Sequence, residues 1–159
     1  MRDPAFKAKH RGGLLSDVDH RMLMKWALAM TEHLQPYLSV PVEPILIEAL
    51  EVGRQWSEGR AGTGEAMKAS RAVHKHAQDI ADPAYKLFCR SVGHAVATAH
   101  MADHSLGPVH YGTKLVNLLG FHDKQELAWQ LAKLQELCPS LVPIVEQALE
   151  QKLRLQLQR

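Results

Sequence analysis

Apolar residues recur at three- and four-residue intervals along most of the chain, the period of helices that bury one face. Ser16 stands three residues before Asp19 as a capping arrangement, and Val18, Met22, Leu23, Trp26, Ala27, Met30 and Leu34 follow at that spacing, predicting a first helix that ends before Pro36. Three prolines between Gln35 and Pro44 predict an extended connector. Leu46, Ala49, Leu50, Gly53 and Trp56 predict a second helix, closed by Gly59 and the Gly62-Thr63-Gly64 turn, with Thr63 as the expected cap of a third. In that third helix Met67, Ser70, Val73, Ala77 and Ile80 share one face. Asp82-Pro83 announces a fourth helix, expected to run to about Asp103. Between Ser91 and Ala102 it has no formally charged side chain and its apolar residues surround it, which is what a helix at the centre of an array needs. A fifth segment from Gly107-Pro108 to Gly120, a sixth helix behind Asp123 and Glu126, and a seventh from Pro139 complete the pattern. No strand-like alternation competes with it. The predicted fold is all-α, a single compact array of six or seven helices around a central apolar helix.

Composition narrows this picture without naming a function. The 159 residues are 46% hydrophobic and 23% charged, enough for one core without disulfide or metal support. The formal charge of +2 divides evenly between the two halves, which argues against a dedicated nucleic-acid binder. Residues 1–15 are set apart, because Arg2, Lys7, Lys9 and Arg11 precede Gly12-Gly13 without apolar periodicity. They are expected to form a flexible or loosely docked basic arm outside a helical domain spanning 16–159. The N-terminus lacks the long apolar run of an export signal or membrane span, and two lone cysteines, Cys89 and Cys138, suit a reducing compartment. The expectation is a cytoplasmic protein with no membrane partner. Leu153, Leu155 and Leu157 would leave an apolar strip on the last helix that could pair with a second copy.

Histidine is the residue that stands out. Ten occur, and His94, His100, His104 and His110 fall within one short stretch. On a continuous helix His100 and His104 lie one turn apart on one face, the spacing of paired ligands to zinc or another divalent metal, while His94 is rotated away. A third ligand would have to come from elsewhere: His110, His74, His76, His94 or a carboxylate. Met101 occupies the position where a zincin carries its glutamate, which argues against that type of peptidase. The plainer account is that these imidazoles satisfy packing and hydrogen bonds in a small-residue core. Cys89 beside Arg90 reads more simply as a core hydrophobe than as a nucleophile, and Arg90 would need a partner if buried. Trp26, Trp56 and Trp129 fall on or beside apolar stripes and read as core anchors.

The run from Gly93-His94 through His100 and Asp103-His104 to Gly107 resembles the signature of a bacterial family of immunity proteins, antidotes to polymorphic toxins. Further blocks follow in the same order: His20-Arg21 to Trp26-Ala27, Glu48-Ala49 to Trp56, Ala72 to Ala77, and Trp129-Gln130-Leu131 to Glu136. The resemblance spans about residues 20–145, with Gly93, His94, His100, Asp103 and His104 as its core. Pro108 and Gly112 depart from it, standing where alanines are more usual. It implies a cytoplasmic, non-enzymatic helical protein that binds and blocks a cognate toxin, with no catalytic residues and no cofactor. The alternative from the residues themselves is a metal-binding protein or metal-dependent hydrolase built on His100 and His104.

Overall fold

The computed structural model describes residues 2–158 and forms the predicted helices from local start signals. Helix α1 (Asp17–Glu32) begins where the Ser16 hydroxyl accepts the Asp19 N–H at 3.1 Å. Proline at the first turn opens α2 (Pro44–Ser57) and α4 (Pro83–Ala97), and the Asp82 carboxylate caps the latter by accepting the Tyr85 N–H. Helix α3 (Thr63–Gln78) is capped one residue earlier than expected. The Gly62 N–H donates to the Glu65 carboxylate, while the Thr63 hydroxyl accepts the Trp56 indole N–H at 3.1 Å. Helices α5 (Gly107–Leu118), α6 (Asp123–Leu137) and α7 (Val142–Leu157) complete the array, α7 after a 3₁₀ turn at Pro139–Leu141. Among the described residues the only β pairing is a bridge between Ala8 and Leu15, and no helix is long and apolar enough to cross a membrane.

Helix α4 is the centre, in contact with α1, α2, α3 and α5. Its Phe88, Cys89, Val92, Ala95 and Val96 are fully buried. Buried hydrogen bonds fasten its neighbours: the Ser70 hydroxyl of α3 donates to the Gly93 carbonyl at 2.7 Å, and the Thr31 and Ser91 hydroxyls of α1 and α4 pair at 2.8 Å. Trp26 is a core anchor in the full sense. It is entirely buried, and its indole N–H donates to the Gln130 carbonyl of α6 at 2.8 Å.

Helix α4 stops at Ala97, short of the expected end near Asp103. The amides of Thr98, Ala99 and His100 tighten to bonds three residues back, Met101 is extended at φ −141°, and Ala102–Leu106 form a 3₁₀ turn. The cause lies on another helix. The buried His20 ring donates its Nε2–H to the Thr98 carbonyl, the group that a continuing helix would have offered to Ala102. Ala99, Ala102 and Ser105 are all buried, so the turn that replaces the helix is itself packed into the array.

Residues 2–15 are docked on the array. Phe6 and Leu15 are each only 3% exposed, and a 3₁₀ turn at Pro4–Phe6 is closed by the Asp3 carboxylate accepting the Ala5 N–H. The Gly12-Gly13 pair serves close approach. Gly12 adopts φ +84°, and a Cβ on Gly13 would lie 2.0 Å from the Lys7 carbonyl oxygen. Gly13→Ala is therefore expected to loosen this loop at a cost of roughly 1 kcal/mol, with faster tryptic cleavage at Lys7, Lys9 and Arg11. Cleavage at the parent rate would show that the loop does not depend on that close approach.

The three leucines near the end of the last helix do not form one strip. Leu153, Leu155 and Leu157 are 58%, 59% and 79% exposed, and at 100° per residue Leu155 projects from the side opposite the other two.

Candidate functional site

The signature segment brings together three imidazoles from three elements, and they are not the pair that a continuous helix would have joined. With α4 ending at Ala97, His104 folds back onto His94: their Nδ1 atoms are 3.2 Å apart, so one ring donates and the other accepts. His74, from α3, meets the His94 ring edge to face at a centroid distance of 5.0 Å, and Tyr111 of α5 stacks on His94 at 5.2 Å. Two glycines make the room. A Cβ on Gly93 would lie 2.5 Å from His74 Cε1, and one on Gly107 would lie 2.5 Å from the His94 Cβ. The first and last residues of the family-like run are thus spaces for histidines.

The cluster is held neutral. Arg90 Nη1 donates to His74 Nδ1 at 3.0 Å and to the His74 carbonyl at 3.1 Å. Because a guanidinium can only donate, the neutral His74 ring carries its proton on Nε2. This is also how the charge on the flank of α4 is satisfied, by an imidazole and a carbonyl rather than a carboxylate. Burial, and then the Arg90 charge, push the His74 pKa down. Burial first and His74 next push His94 down to about 4, and burial lowers His104 as well. A chain of neutral rings in mutual contact does the work of packing: it joins α3, α4, the 3₁₀ turn and α5.

The remaining candidates are dispersed. His100 does not share a face with His104; it lies in the turn after α4 and lines a separate cleft. Asp103 forms an ion pair with Arg2 at 3.1 Å, both partly exposed. His110 is exposed beside Tyr111, and His76 pairs with the Glu43 carboxylate at 3.0 Å. Among the described residues no three His, Cys, Asp or Glu side chains converge as a metal ion would need. The Cys89 thiol is pushed up to about 11, first by burial and then by Glu43, far from the thiolate range.

The cleft that His100 lines is one that sequence reasoning missed. About 780 Å³ in volume, it lies between the docked arm, the start of α1, the α2–α3 turn and the turn after α4. Lys7, Arg11, Asp17, Arg21 and Trp56 also line it. At its base the His20 ring sits edge-on to Trp56 at 4.9 Å, its pKa lowered chiefly by burial. The only sequence signals for it were the basic arm and the tryptophan, which are far apart in the chain.

The chain matches one family model, described as Imm-5 like putative immunity protein, over residues 13–137. No curated protein and no solved structure matches it.

Proposed function

This chain belongs to the Imm-5 like immunity protein family, and we propose that it binds a cognate bacterial toxin and neutralises it in the cytoplasm of the cell that makes both. The family match across most of the folded chain carries this reading. The site chemistry supports a binding role rather than catalysis, because His94 and His104 are neutral and spent on each other and the buried thiol is held protonated. An antidote needs a rigid scaffold and a complementary surface, and the central helix with its histidine cluster supplies the first.

The test is protection. Cells given the toxin encoded beside this chain's gene should grow when the chain is co-expressed, and the purified pair should co-elute as a complex. Absence of both would overturn the reading. The proposed mechanism uses no metal, so protein purified without a histidine tag should hold far less than one equivalent of zinc, iron or manganese. Near-stoichiometric metal that disappears in His104→Ala would instead favour a metal-binding protein.

A further inference from the structure

The cleft beside the arm has an unbalanced lining. Arg2, Lys7, Arg11 and Arg21 face a single carboxylate, Asp17. Arg2 is engaged with Asp103, whereas among the described residues Lys7, Arg11 and Arg21 have no carboxylate within ion-pair distance. The Arg21 guanidinium lies across Gly59, where a Cβ would be 3.7 Å from Nη2, and the Lys7 ammonium lies 4.0 Å from the Cβ position of Gly12. Both glycines have positive φ, so neither would accept a side chain without strain. The cations border a concave space of the size that ligand sites occupy.

We infer that this cleft is the docking site for an acidic segment of the protein partner. The inference rests on the antidote reading and names the face and the chemistry that it uses. Three cations without partners attract carboxylates and repel a basic surface, and the arginine fork adds directional hydrogen bonds to a carboxylate. Trp56 at the base gives the segment an apolar contact between its charges. One wall, from Arg2 to Gly12, lies outside the family match that begins at residue 13, so this part of the cleft is built by residues beyond the shared scaffold. An antidote that must tell its own toxin from others has a use for such a wall.

The experiment compares the full chain with the triple variant Lys7→Glu, Arg11→Glu, Arg21→Glu and with a control, Lys68→Glu, Arg71→Glu, Lys75→Glu, which makes the same charge change on the outer part of α3. The probe is a fluorescein-labelled twelve-residue peptide of alternating glutamate and glycine, followed by anisotropy, with circular dichroism to establish folding. The parent chain and the control should bind it, more weakly as salt rises, and the cleft variant should bind at least about tenfold less tightly. No binding by the parent, or equal loss in both variants, would overturn the inference. ATP binding the parent tenfold more tightly than the peptide would overturn it too, assigning the cleft to a small anion. In cells exposed to the toxin, failure of the parent to protect sinks the antidote reading. Protection by the parent and equally by the cleft variant sinks only the cleft.

Discussion

Gly93→Ala is expected to lower the unfolding free energy by about 2 kcal/mol, although alanine is the better helix former by about 1 kcal/mol. The added Cβ would sit 2.5 Å from His74 Cε1 and 2.6 Å from Nε2. The ring has little room to retreat, because Arg90 holds its Nδ1 side and the His94 ring lies against it. Strain in a packed interior spreads to neighbours rather than relaxing in place, so the clash outweighs the propensity gain. Urea denaturation of Gly93→Ala, His74→Ala and the double variant measures the coupling. The double variant should be more stable than the sum of the two single effects allows by at least about 1 kcal/mol. A stable Gly93→Ala would mean that the close approach of α3 and α4 at this point is not a constraint on the fold.

What could be read in the sequence followed from how far each cause acts along the chain. Ser16 and the Asp82-Pro83 pair satisfy amides within three residues of themselves, so the starts of α1 and α4 were legible. The central place of α4 was legible because burial on every side leaves a run with no charge. Its end was not. The Thr98 carbonyl is taken by His20, which lies 78 positions away, and nothing local in Thr98-Ala99-His100 marks the break.

That one missed end changed the site. On an unbroken helix His94 and His104 would point apart; with the chain turned at Met101 they touch, and His100 goes to the cleft instead. Gly12-Gly13 left the arm's state open for a related reason. A glycine pair looks the same in a sequence whether it grants freedom or admits a close neighbour, and here the neighbour is the Lys7 backbone. Gly93 and Gly107 belong to the second kind as well. Their requirement became visible only once His74 and His94 had been placed against them.

The same cluster should make the protein sensitive to mild acid. His74, His94 and His104 all have pKa values below the ordinary 6.5 in the folded chain, His94 at about 4, chiefly because burial disfavours the charged form. Arg90, Lys152 and Arg2 add positive charge around them, with Asp103 as the opposing carboxylate beside His104. The unfolded chain takes up protons near pH 6.5, before the folded chain does, so the stability from these neutral rings is complete above that pH and drains away as the pH falls toward 4. For His94 alone linkage gives about 3 kcal/mol, and partial access of the ring to water reduces this to about 2 kcal/mol. His74 and His104 contribute with the same sign. Glu43, whose carboxylate is held below its usual range chiefly by the hydrogen bond from His76, loses its contribution only as the pH drops below about 4.5, so the upper part of the window belongs to the histidines. Urea midpoints at pH 8, 6.5 and 5 should therefore fall slightly between the first two, where the unfolded imidazoles become half protonated, and much further by the third. In His94→Gln, which removes the titrating ring and keeps a polar group, the decline between pH 6.5 and 5 should be shallower than in the parent. A parent midpoint that stays level from pH 8 to pH 5 would mean that these rings are charged or freely hydrated in the folded chain, and the account of the cluster as a neutral packing element would fall with it.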